Sequence, residues 1–169
     1  MPKDDKNELF YWVNENDKEL GSISRQEAHS GVKKIHRSVY ILLVNDQDQI
    51  LLQKRSQQKD TYPGFWTVST SGHVTYGQTY EEAVKKEMEE EIGISPENFT
   101  YISNMFYESA QEKEISKIYL AENQGEEVSI DKTEVEETRW VSIKKLKEFD
   151  KNNNLTPAGK KALQTVGWY

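Results

Sequence analysis

An α/β fold built on a mixed sheet with few helices follows from three features of the sequence. Short β-branched and aromatic runs bounded by Asn, Asp, Gly and Pro recur along the chain, Tyr80 to Ile92 has an unbroken amphipathic period, and two further helical patterns close the C-terminus. Leu9 to Val13 and Leu20 to Ile23 flank Asn14-Glu15-Asn16-Asp17, a turn composition, and predict an N-terminal hairpin over 9–24 behind a flexible tail over 1–8. Ser38 to Val44 and Gln49 to Gln53 predict two strands around Asn45-Asp46-Gln47-Asp48. Tyr62-Pro63-Gly64 opens a loop, and the helix over Tyr80 to Ile92 stops at Gly93. Strands follow at Tyr101 to Tyr107, Ile115 to Leu120 and Thr138 to Val141, then helices over Ile143 to Phe149 and Thr156 to Val166, the second opening on Thr156-Pro157 as N-cap and first helical residue. No repeat or linker divides the 169 residues, so one domain over 1–169 is expected.

Composition narrows the chemistry. The chain carries no cysteine, which removes disulfides, thiolate metal sites and thiol nucleophiles together. A net charge of −7 makes general nucleic-acid binding a poor expectation, and an anionic substrate needs local basic residues or a metal ion to offset repulsion. No apolar run has the length of a membrane span or a signal peptide, so a cytoplasmic protein without membrane contact is expected.

The Tyr80 to Ile92 helix carries more acid than its amphipathicity requires. With Tyr80, Ala83, Val84, Met88 and Ile92 defining the core arc, Glu91 falls about 20° from Tyr80, inside that arc, and Glu87 and Glu90 fall on its edge. Glu82, Lys86 and Glu89 belong to the opposite, solvated side. Buried carboxylates need cations to neutralise them, either Arg and Lys in ordinary salt bridges or a divalent metal. Spacing i, i+3, i+4 places Glu87, Glu90 and Glu91 on neighbouring positions where oxygen ligands can share Mg²⁺ or Mn²⁺.

From Gly72 to Ile94 the chain reads GHVTYGQTYEEAVKKEMEEEIGI. This segment resembles the Nudix box, G-x5-E-x7-R-E-U-x-E-E-x-G-U with U a bulky aliphatic residue. Gly72, Glu87, Met88, Glu90, Glu91, Gly93 and Ile94 match in register, while Gln78 stands in place of Glu and Lys86 in place of Arg. The resemblance implies a Nudix-like α/β/α sandwich around a mixed β-sheet and a metal-dependent hydrolase that cleaves a phosphoanhydride in a (nucleoside) diphosphate-linked substrate. Glu87, Glu90 and Glu91 are then the metal ligands and catalytic acids, and the two departures bear on local rigidity and efficiency. The general base is left open between Glu90, Glu91 and an acid of the Glu134-Val135-Glu136-Glu137 loop.

Within that superfamily, Arg25 through Gly93 is similar to type I isopentenyl diphosphate isomerase. The likeness implies metal ligation by His29, His36 and His73, which are all the histidines of the chain, together with Glu112 and Glu114 of a later hairpin. Strand geometry points Glu112 and Glu114 to one side, and such a set would suit Mn²⁺, Zn²⁺ or Mg²⁺ as a second cation site, separate from the acidic helix. The same likeness makes Arg55 and Lys59, and less directly Arg25, contacts for a substrate diphosphate; the alternative is basic residues that solubilise an edge strand. Isomerase chemistry uses a cysteine where this chain has Ser71 and a tryptophan near the start of the last helix, where this chain has Leu155-Thr156-Pro157-Ala158-Gly159. Hydrolysis is therefore the preferred reading, with an isomerase-like enzyme and a non-catalytic ligand-binding domain as alternatives. Tyr62, Phe65 and Trp66 either stack on a nucleobase or pack the loop. The expected partner is a small-molecule diphosphate, and a homodimer is left open.

Overall fold

The computed structural model describes residues 5–169. Strands β1 (Leu9–Val13) and β2 (Glu19–Ser24) form the predicted hairpin, and a four-residue helix α1 (Arg25–Ala28) follows. Strands β3 (Ile35–Val44), β4 (Gln49–Arg55), β5 (Trp66–Thr67) and β6 (Thr70–His73) precede helix α2 (Tyr80–Ile92). Strands β7 (Phe99–Glu108), β8 (Lys113–Glu122) and β9 (Val135–Ser142) come next, then a 3₁₀ turn over Ile143–Lys145 and helices α3 (Leu146–Asn153) and α4 (Pro157–Thr165). No described helix is long and apolar enough to cross a membrane. Of the expected tail, residues 1–4 lie outside the described residues, whereas Lys6 and Glu8 accept backbone hydrogen bonds from Gln26 and Arg25 at 3.1 and 2.8 Å.

The sheet is mixed. β3 runs parallel to β8 along its whole length, while its other edge is shared in turn by β1, β6 and the end of β4, all antiparallel. β9 and β5 flank β4, and β7 closes the β8 edge. Alternation along β3 gives the layers: Val39, Ile41 and Leu43 face α2 with Val84, Met88 and Ile92, whereas Tyr40 and Leu42 face Leu146 and Phe149 of α3 and Ala162 and Leu163 of α4. Helices thus cover both faces, the α/β/α arrangement expected.

Helix α2 is closed at both ends by local chemistry. Thr79 and Glu82 form a reciprocal capping box, so Glu82 caps rather than merely facing water. Gly93 ends the helix in the left-handed region at φ 68°, and Ser129 N–H donates to the Ile92 carbonyl at 2.9 Å, docking the 128–131 segment. A Cβ at Gly93 would lie 2.7 Å from the Ser129 carbonyl oxygen, so both φ and space exclude a side chain. Gly93→Ala is expected to lower unfolding free energy by at least about 1 kcal/mol, measured as a shift in urea midpoint; an unchanged midpoint would show that the segment yields freely.

Candidate functional site

Glu87, Glu90 and Glu91 of α2 line a pocket of about 300 Å³. Their approach depends on Gly72 of β6, where a Cβ would stand 2.2 Å from the Glu87 carboxyl carbon. Glu91 accepts hydrogen bonds from Thr70 Oγ1 at 2.5 Å and from the Gln53 amide. Burial, then the Glu91 charge, push the Glu87 carboxyl well above the usual range, and burial raises Glu91 against the pull of Thr70 and Gln53. Gln78, which departs from the box, is a loop tie: its Oε1 accepts from Thr75 N–H at 3.0 Å.

The cations come from three places. Lys86 was expected on the solvated face, but it is half-buried and lines the pocket, because its helix edge abuts Glu87 and Glu90 rather than open water. Arg55 lines it too, braced by the Thr61 carbonyl at 3.0 Å and hydroxyl at 3.2 Å. The edge-strand reading of Arg55 fails, since β4 is paired on one side with β9 and on the other with β5. Lys59 pairs with Glu134 at 2.6 Å, which brings that acid into the pocket just before β9. Val135, Glu136 and Glu137, expected in a loop, already belong to β9 because it pairs with β4 there, and Glu136 and Glu137 bond Lys54 and Arg139. Arg25 reaches Glu8 at 3.7 Å and His73 Nδ1 at 3.4 Å. Tyr62 also lines the pocket, with Phe65 against it, while Trp66 is buried edge-on against Phe149, so the three aromatics divide between site and core.

The three histidines converge. His29 caps α1, His36 lies on β3, His73 ends β6, and Glu112 precedes β8; one ligand atom from each lies within 4.8 Å of all the others. Glu112 Oε2 stands 3.0, 3.6 and 3.9 Å from the Nε2 atoms of His29, His36 and His73. Phe10 of the hairpin stacks on His73 at 4.5 Å and on His36 at 5.6 Å. His36 is 0% exposed, and neither of its ring nitrogens has a hydrogen-bond partner among the described residues. Burial raises the Glu112 carboxyl, but the facing imidazoles outweigh it and hold the group far below its usual range. Glu114 stands behind this group rather than within it: it is 3.8 Å from His36 and accepts from Tyr40 OH at 2.6 Å, and burial followed by the Glu112 charge pushes it up to about 8. Burial pushes His73 down to about 3, so that ring resists protonation well below the pKa of free imidazole.

His29, His73 and Glu112 of the cluster line the same pocket as the acidic helix. Its remaining lining includes Ser38 and Tyr40 of β3, Thr67 of β5, Tyr107 of β7 and the α4 cap Thr156, which nothing in the sequence groups because they are scattered over four elements.

The family model described as NUDIX domain matches residues 34–164. The chain belongs to the Nudix family. An uncharacterized Nudix hydrolase of Pseudomonas aeruginosa is 40% identical over 88 residues, 52% of this chain and 51% of that protein, so the match spans about half the relative's length. An isopentenyl-diphosphate isomerase of Haloarcula marismortui is 29% identical over 144 residues, 80% of this chain and 77% of the isomerase. In fold, a crystal structure from Deinococcus radiodurans superposes with a TM-score of 0.78 at 20% identity, covering 93% of this chain and 98% of that one. The Nudix box of this chain is thus the β6, loop and α2 segment. Its histidine cluster predicts that His36→Ala lowers affinity for Mn²⁺ or Zn²⁺ at least about tenfold by calorimetric titration; equal affinity would make these histidines structural.

Proposed function

We propose that the protein is a metal-dependent pyrophosphohydrolase acting on a small diphosphate-linked molecule in the cytoplasm. The observation that carries this reading is one pocket in which Glu87, Glu90 and Glu91 face Arg55, Lys59 and Lys86, close enough that the cations draw Glu87 and Glu91 downward against burial. Acids to hold a metal and cations to hold phosphates are the two parts that phosphoanhydride cleavage needs.

The donor set fits Mg²⁺ or Mn²⁺: three carboxylates, one locked by Thr70 and Gln53 and one laid over Gly72. Bound there, the ion would polarise a phosphoryl oxygen and make a nearby water more acidic. The chain's own residues do the rest. Arg55, held by Thr61, presents a planar guanidinium for two-point contact with a phosphate, and Lys59, oriented by Glu134, adds a point charge, with Arg25 behind them. Glu90, Glu91 and Glu134 are the acids placed to take the proton of an attacking water.

A second reading, an isomerase of isopentenyl diphosphate, is favoured by His29, His36, His73 and Glu112, whose geometry and orphaned buried imidazole suit a transition metal, with Glu114 beside them. Against it, Ser71 cannot supply the thiol of that chemistry, and Thr156 and Ala158 stand at the α4 entrance. If an isomerase framework persists, Ser71→Cys should gain deuterium exchange into isopentenyl diphosphate, followed by NMR.

Cleavage of nucleoside diphosphates and triphosphates, ADP-ribose, dinucleoside polyphosphates and isopentenyl diphosphate, each with Mg²⁺ and with Mn²⁺ and followed by chromatography of the phosphorylated products, is the direct test. No cleavage of any of them would leave a ligand-binding domain. Glu91→Gln is expected to lose at least about 100-fold in kcat while keeping its fold by circular dichroism. Arg55→Ala should raise KM about tenfold with kcat less affected; unchanged KM would remove Arg55 from the phosphate site.

A further inference from the structure

The cations of the pocket account for phosphates, but a further group of its lining residues is suited to something else. Ser38 and Tyr40 of β3, Thr67 of β5, Ser71 of β6, Tyr107 of β7 and the α4 cap Thr156 present hydroxyl groups to the same space. Among the described lining residues there is no Val, Leu, Ile, Met, Phe or Trp, and Ala158 is the one wholly apolar side chain. An isoprenoid group seated here would bury methyls against hydroxyls and leave them unsatisfied.

Several of these hydroxyls have hydrogen-bonding capacity to spare. Thr156 Oγ1 accepts from Gly159 N–H at 3.1 Å and lies 3.2 Å from Thr67 Oγ1; donation to Thr67 leaves the Thr67 proton free to point elsewhere. The Ser71 hydroxyl makes no hydrogen bond to the described residues, and Tyr40, donating to Glu114, keeps its oxygen as an acceptor. At about 300 Å³ the pocket lies at the small end of ligand sites, roughly 300–1,000 Å³.

We infer that the group carried on the diphosphate is a small polyhydroxylated one, a sugar of pentose or hexose size, recognised by the Thr67, Ser71 and Tyr107 hydroxyls. The inference rests on the hydrolase reading for the position of the phosphates. In the reaction, water oxygen bonds to the terminal phosphorus and the bridging P–O bond breaks. Its electron pair leaves on the sugar monophosphate, and the water hydrogens end as one proton released and one hydroxyl on orthophosphate.

The test is calorimetric titration of the full chain with Mg²⁺ and three unreactive probes: glucose 1-phosphate, isopentenyl monophosphate and orthophosphate. Glucose 1-phosphate is expected to bind at least about tenfold tighter than isopentenyl monophosphate. Thr67→Val and Ser71→Ala should each weaken glucose 1-phosphate by about threefold to tenfold, the range of one hydrogen bond, and leave orthophosphate within about twofold. Ser71→Ala removes one half-buried oxygen, so it serves even where Thr67→Val perturbs the core. Equal or tighter binding of isopentenyl monophosphate overturns the inference, as does a parallel loss for orthophosphate. Because these titrations need no turnover, sugar preference without phosphate release from any diphosphate would sink the hydrolase reading alone.

Discussion

Everything in this molecule leans on β3, a strand hydrogen-bonded on both edges and covered on both faces. Such a strand must be apolar wherever helices cover it, and from Val39 to Leu43 it is, with alternate residues serving opposite cores. Toward its N-terminal end the same alternation delivers His36 and Ser38 to a polar interior, and Tyr40, at the boundary, packs its ring in the core while its hydroxyl bonds Glu114. One strand therefore supplies core in one half and site in the other. Its parallel pairing with β8 sets His36 opposite Glu114 and Ser38 opposite Ser116, which fixes the polar groups by backbone register rather than by flexible side chains.

Two sets of buried acids in one pocket are driven in opposite directions, and the reason is what each faces. Burial raises both Glu87 and Glu91, and the Glu91 charge raises Glu87 further. Glu112 faces three imidazoles and is drawn down, and its charge then forces Glu114, two residues on, upward. Each acid's protonation is thus set by its neighbours, and a divalent ion at either set would relieve the strain of gathering unpaired polar groups away from water. His36, buried with no hydrogen-bond partner at either ring nitrogen among the described residues, is the residue for which packing alone gives no account.

The helices and long strands were legible because each repeats its period several times. α2 matches its expected bounds, and the capped α4 begins where Thr156-Pro157 places it. By contrast α1, β5 and β6, of four, two and four residues, were not legible. Elements so short have no period to read and exist because β3, β4 and the hairpin hold them. The histidines and acids were found through a motif and a resemblance, whereas the hydroxyl wall was invisible as a group, since Ser, Thr and Tyr on five different elements look like ordinary residues until the fold gathers them. Lys86 was misplaced for a related reason: helical angle alone does not say where a pocket interrupts the solvent.

Gly72 shows how tightly core, metal ligands and substrate wall are tied. Strand β6 presents Ser71 to the hydroxyl wall and His73 to the imidazole cluster, two residues apart on one strand. Between them Gly72 pairs with Val39 of β3 and leaves room over its backbone for the Glu87 carboxyl. Any side chain there would have to displace either the strand from β3 or the acid from the pocket. The glycine that opens the motif is therefore required by close approach rather than by an unusual φ, and it lets three consecutive residues serve three parts of one site.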